Sequence, residues 1–291
     1  MEKLFFCESK KEMQSCILEY IDDSDNEDYN FQNLITLINK QKIIDNSDDL
    51  KDFFQLLSQI SGNHHRNTIF FKKIERIILH LQKEIKQTFS NSEIFNLFKN
   101  NKKIILFLLT QKIIIINKSI VDLMLSENKI NEIKYCHFFY PEIKDFLDKS
   151  ELKNIENEIN EINPDNFNQY EEKRQQGEND SYICSLIRND SIEDFIFYVN
   201  KNSFDLNSIR IKPSIFETNS FLIDVKPSLI EYAAFYGSMN IFDYLVKNNV
   251  KLSSSLWPYA IHSNNAEVVY YLEENQVNQL PLKDLWLESV K

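Results

Sequence analysis

Apolar residues recur at three- and four-residue spacing through most of this chain, the period of helices with one buried face. Met13, Ile17, Tyr20 and Ile21 predict a first helix over 11–21. Past an acidic stretch from Asp22 to Asp28, Phe31, Leu34, Ile35 and Ile38 predict a second, and Leu50, Phe53, Phe54, Leu57 and Ile60 a third, capped near Ser47 and ended at Gly62. Phe70, Phe71, Ile74, Ile77, Ile78, Leu81 and Ile85 form the longest stripe, with Lys72, Lys73, Glu75, Lys83 and Glu84 on its other face, so that helix is expected to anchor the N-terminal core. Residues 92–116 predict a short helix with Phe95 and Phe98, a corner at Asn100-Asn101 and a denser apolar helix from Ile104. Ile120, Leu123 and Met124 suggest another helix, and Tyr135 to Leu147 closes the region, with Pro141 opening a helix there. Leu152, Ile155, Ile159 and Ile162 make a stripe of barely two heptads, better read as one linker helix than as a coiled coil.

Beyond a polar stretch from Gln169 to Asp180 the pattern becomes repetitive. PSLIEYAAFYGSMNIFDYLVKNNV and SLWPYAIHSNNAEVVYYLEENQV are one helix-turn-helix phrase written twice, with Ala233 on Ala260, Gly237 on Asn264 and Leu245 on Leu272, at a constant offset of 27 residues. The small residue in each first helix permits close stacking, and Gly237 and Asn264 suit the positive φ of a tight turn. The second helices close at Asn248-Asn249 and at Asn275, again suited to a left-handed cap. A third copy starts at Ser181, with Leu186 at the small-residue place, Asp190 at the turn, and Ile192, Phe195 and Val199 in the second helix. Leu186 and Ala233 are 47 residues apart, so Lys201 to Lys226 is an excursion longer than a repeat hairpin. At the C-terminus DLWLESVK (284–291) overlays SLWPYAIH (255–262), giving a fourth copy without its second helix. Arrays end in a repeat with a polar outer face, so the expectation is an uncapped apolar end, a chain shortened relative to longer relatives, or a partner that covers it.

The phrase from Ser228 to Ser238, SLIEYAAFYGS, resembles the ankyrin repeat. Ser228-Leu229 and Glu231 stand where that motif has Thr-Pro and His, so the residues that usually tie neighbouring loops are replaced, and the 27-residue offset is shorter than the usual period of about 33. More narrowly, GENDSYICSLIRNDSIEDFIFYVN, KPSIFETNSFL and SLIEYAAFYGS are similar to a large set of trichomonad ankyrin-repeat proteins that carry an all-helical N-terminal region of unassigned function. The resemblance implies an all-α fold: a helical region over 1–149 with a degenerate ankyrin-like pair near 92–116, a linker helix and polar linker over 150–180, and repeats over 181–291 at 181–200, 228–250, 255–277 and, incompletely, 284–291. It implies a binding role without naming a partner.

Composition narrows the functions. With 291 residues, 43% of them hydrophobic, the chain can build a sizeable core, and 3 glycines and 6 prolines argue against a turn-rich β fold. A net charge of −11 disfavours nucleic acid and anionic membrane as partners and favours a basic protein. Cys7, Cys16, Cys136 and Cys184 are scattered without a C-x-x-C, which signals neither a disulfide framework nor zinc but buried thiols in a reducing compartment. With no apolar leader and no run long enough to span a bilayer, the cytoplasm is the expected location.

No arrangement for catalysis, cofactor or metal stands out. His64-His65 lack partners at ligand spacing, and His80, His137 and His262 are isolated. Phosphate loops and nucleophile elbows are absent. The chain therefore reads as a non-catalytic interaction scaffold. The alternative is a structural protein that self-associates through the uncapped C-terminal copy. In stacked repeats the two positions before each turn face the groove: Arg188 and Asn189, Phe235 and Tyr236, His262 and Ser263. Arg, aromatic and His side chains in line are candidate hot spots for a protein partner. Phe216 and Glu217, in the long excursion, are further candidates. The competing reading packs Phe235 and Tyr236 beneath that excursion.

Overall fold

A computed structural model describes residues 2–23, 25–63, 68–126, 134–162, 169–223, 225–263 and 265–278. Among these the chain is all-α: its regular elements are helices, and one isolated antiparallel bridge joins Arg210 to Ser228. No described helix is long and apolar enough to cross a membrane. The His64-His65 pair, Asn264 and the fourth copy at 284–291 lie outside the described residues. Contacts divide the chain into two compact units, Met1–Ser126 with Pro141–Phe146, and Glu127–Tyr140 with Leu147–Lys291.

The first unit builds its core from Glu2–Asp22, Glu27–Lys40, Ser47–Asn63, Thr68–His80, Gln82–Thr88, Asn91–Phe98, Lys102–Thr110 and Lys118–Ser126. The long stripe over 70–85 is not one helix but two, interrupted at Leu81 (φ −99°, ψ 14°). Lys73, expected on the solvent face, is 1% exposed. Its ammonium donates to the carbonyls of Tyr20 (3.0 Å), Ile21 (2.9 Å) and Asp23 (2.9 Å), closing the end of Glu2–Asp22. Those carbonyls have no partner within their own helix and carry the negative end of its dipole, so a cation there satisfies both needs. The corner between Asn91–Phe98 and Lys102–Thr110 is made by Asn101, whose side chain accepts from the Ile104 N–H at 3.1 Å.

The second unit starts earlier than the polar stretch suggests. His137 is buried and its Nδ1 accepts from the Lys134 N–H at 3.1 Å, which leaves its Nε2–H to donate to Glu158 at 2.8 Å. Lys134 Nζ meets the same carboxylate at 2.5 Å, and the Tyr140 hydroxyl bonds Glu156 at 2.5 Å. These bonds bind Tyr135–Phe138 to the linker helix Lys149–Ile162. The polar stretch itself holds a helix, Tyr170–Gln176, in which Tyr170 and Arg174 sit one turn apart and are buried. Tyr170 donates to the His137 carbonyl, and Arg174 to that of Phe138 at 3.4 Å.

Three helix pairs follow: Tyr182–Arg188 with Ile192–Lys201, Leu229–Tyr236 with Met239–Lys247, and Leu256–Ser263 with Ala266–Glu274. The lead helix of each pair packs against the next lead helix, with Ala233 and Ala260 fully buried between them. Phe195 meets Tyr244 edge-on at 6.1 Å, and Phe242 meets Tyr271 edge-on at 5.3 Å, so ring contacts join the following helices of neighbouring pairs. The turn after the lead helix takes a positive φ at Asp190 (50°) and Gly237 (63°). The following helices end through one set of bonds: Asn202, Asn248 and Asn275 each donate a side-chain amide to the tyrosine carbonyl four residues back, at 2.8 Å. The left-handed residue comes next, at Ser203, Asn249 and Gln276, so in the last pair it is Gln276 and not Asn275.

Neighbouring pairs are also tied through their turns. The Asp190 carboxylate accepts from the N–H groups of Asn240 (3.1 Å) and Ile241 (3.0 Å), capping the following helix of the next pair. Asn265 caps its own helix and donates to the Gly237 carbonyl at 3.3 Å, and a Cβ at Gly237 would lie 2.7 Å from its Nδ2. Glu231, at the place where the ankyrin motif has His, closes a capping box with Ser228 and accepts from Ser255 Oγ of the next pair at 2.6 Å. The loop-to-loop tie is therefore made by a carboxylate.

Candidate protein-binding face

The excursion between the first and second pairs is a strap whose base closes where the Ile211 N–H donates to the Pro227 carbonyl at 2.8 Å. Residues 177–180 hold it. Thr218 donates its Oγ to the Gly177 carbonyl (2.7 Å), Asn179 Nδ2 to the Lys212 carbonyl (2.8 Å), and Ser214 Oγ to Asp180 (2.7 Å). The strap carries Phe221 onto the lead helices of the second and third pairs. The ring stacks on Phe235 with centroids 5.8 Å apart and planes 6° apart, meets Tyr259 edge-on at 5.0 Å and lies 4.2 Å from the His262 ring.

Most of the residues expected to line an open groove are therefore covered. Phe235 is 1% and Tyr236 5% exposed, and the two rings pack on each other and on Tyr232 and His262. The small residues bring the lead helices so close that the positions before the turn fall between them, and the strap covers what remains. Phe216 is fully buried edge-on to Tyr170 at 5.1 Å. Ser263 is buried, its hydroxyl donating to the Ala260 carbonyl at 2.6 Å. Arg188 turns inward, pairing with Glu178 at 2.8 Å and donating to the Asn179 carbonyl (2.7 Å) and the Tyr232 hydroxyl (3.1 Å). His262 is half-buried, its Nε2 makes no hydrogen bond among the described residues, and burial lowers its pKa. Asn189 alone of the eight is exposed.

Glu217 is 3% exposed, held by the N–H groups of Asn219 (2.9 Å) and Asn179 (3.2 Å). Burial pushes its carboxyl up to about 7, against the pull of those N–H groups and of the Arg188 charge. The folded state therefore holds a proton here that the unfolded chain releases near the ordinary carboxylate value. The resulting stability is present below the unfolded pKa and is lost as pH rises through about 7, a difference of about 3 kcal/mol. Glu217→Gln is expected to remove most of that fall. Urea midpoints at pH 5 and pH 8, followed by tryptophan fluorescence, test it, and an equal fall in the variant would count against it.

Exposed aromatic side chains that the sequence reading missed lie on the following helices. Phe197 (68% exposed) and Tyr270 (63%) hold the same place in the first and third pairs, each directly before the tyrosine whose carbonyl caps the helix end, and Asp243 holds that place in the second. Aligning Tyr198-Asn202, Tyr244-Asn248 and Tyr271-Asn275 would have found them. Glu193, Asp194, Glu267, Glu273 and Glu274 on these helices are exposed too. Burial pushes the Cys136 and Cys184 thiols up to about 11. Among the described residues no three His, Cys, Asp or Glu side chains come together as a metal would require. No protein-family model, no curated protein and no solved structure matches this chain.

Proposed function

We propose that the second unit is an ankyrin-type stack and that the chain is a non-catalytic scaffold that binds a basic protein partner. The observation that carries this reading is the row of Phe197, Asp243 and Tyr270, one equivalent position, counted from the helix end, on three helices whose ends are tied in the same way. Two aromatic side chains left more than half exposed, on helices that do not have to be ordered on binding, suit an interface. The exposed carboxylates around them favour lysine and arginine on the partner and speed its approach.

The test is affinity capture from an extract of the cells the protein comes from, with the intact chain and with a Phe197→Ser, Tyr270→Ser double variant. Both sites are exposed, so the fold is expected to survive. Proteins retained by the intact chain are expected to be lost with the variant, and identical lists would sink this reading. If the captured protein is the chain itself, and sedimentation of the intact chain depends on concentration, self-assembly replaces it.

A further inference from the structure

The strap contributes a ring to a seat that other elements build. Phe235 and Tyr259 belong to neighbouring lead helices, and His262 lies one turn beyond Tyr259. All three present ring faces or edges to one point, and Phe221 fills it at 5.8, 5.0 and 4.2 Å. Phe221 itself is only partly buried, and it sits on a four-residue helix, Ser220–Ile223. The side-chain bonds that fix the strap lie on its other limb, at Lys212, Ser214, Glu217 and Thr218, while the limb that carries Phe221 is closed by the Ile211–Pro227 bond and buries Leu222. A ring held by stacking between two tethers can be exchanged for another ring without undoing either.

We propose that the seat formed by Phe235, Tyr259 and His262 is a recognition site for an aromatic side chain of a protein partner, which the chain keeps filled with its own Phe221. The proposal rests on reading this unit as a protein-binding stack, but it concerns a different face from the row of Phe197 and Tyr270. The occupant in place shows what the seat accepts: a flat ring carried by a short apolar segment, stacked on Phe235 and against the imidazole of His262. A partner must displace Phe221, so free strap in the same chain competes with it and sets a threshold on affinity.

The probe is a synthetic peptide with the chain's own sequence from 215 to 226, offered to the intact chain and to Phe221→Ala. Phe221→Ala is expected to bind the peptide one to one, and the intact chain to bind it roughly tenfold more weakly or less. A peptide carrying alanine at the place of Phe221 is expected not to bind. The His262 ring-proton resonance reports the seat directly: it is expected to shift in Phe221→Ala, when the stacked ring is removed, and to return when the peptide binds. Should Phe221→Ala fail to fold, Phe221→Leu keeps apolar volume without the ring and is expected to bind the peptide more tightly than the intact chain. A folded variant that ignores the peptide would overturn the proposal, as would one that instead dimerises by exchanging straps. Because the probe is the chain's own segment, this result does not depend on finding the partner sought by capture.

Discussion

Phe235→Ala is expected to destabilise the second unit by about 3–5 kcal/mol, the range for deleting a buried phenylalanine from a packed core. The ring has no exposed edge to give up cheaply. It lies under Phe221 and against Tyr236 and His262, and its removal leaves a cavity between two lead helices whose spacing is fixed by Ala233 and Ala260. Trp257 lies in the lead helix of the third pair, so urea unfolding followed by tryptophan fluorescence reads the loss. A cost below about 1 kcal/mol would return Phe235 to the role of a free contact residue. The contrast with Phe197→Ser, which removes a ring of the same size from solvent and is expected to leave stability nearly unchanged, separates packing from recognition.

Lys73→Met is expected to cost the first unit about 3 kcal/mol, although methionine fills nearly the same space. What it removes is the donor to three carbonyls at one helix end, and buried acceptors stripped of their partner lose more than the bonds themselves gave. Because the ammonium also faces the negative end of the Glu2–Asp22 dipole, the loss should concentrate in that helix. Hydrogen exchange of the amides around Tyr20 and Ile21 measures it, and protection equal to that of the natural chain would refute the capping role.

The helices were legible because their evidence is local. Apolar spacing set most of them, and the turn at Gly237 and the cap at Asn249 follow from which residues tolerate positive φ. The buried polar groups were not legible for the converse reason. The partners of Lys73 are backbone carbonyls 50 to 53 residues away, and a carbonyl leaves no mark in a sequence. The stretch from 169 to 180 looks like a linker by composition, yet Tyr170 and Arg174 are four apart and reach the His137 and Phe138 carbonyls. The groove positions failed for a geometric reason. Counting back from the turn assumes an ordinary hairpin, whereas the chain spends its long excursion on a strap that folds over that place and puts Phe221 where a partner was expected. Of the two readings open for Phe235 and Tyr236, the one beneath the excursion describes their packing.

The cross-pair ties differ from turn to turn: the Asp190 carboxylate caps the helix of its successor, while Ser238 and Asn265 reach back to the Ile187 and Gly237 carbonyls of the preceding pair. Asp190 of the first pair caps a helix of the second, and it is a residue that only a completed first turn can place. Glu231 of the second pair then holds the loop that opens the third. The aspartate tie thus joins the first pair to the second, and a different set joins the second to the third. Lengthening this array by duplicating its last pair would bring no aspartate at that turn, whereas duplicating the first would carry it along.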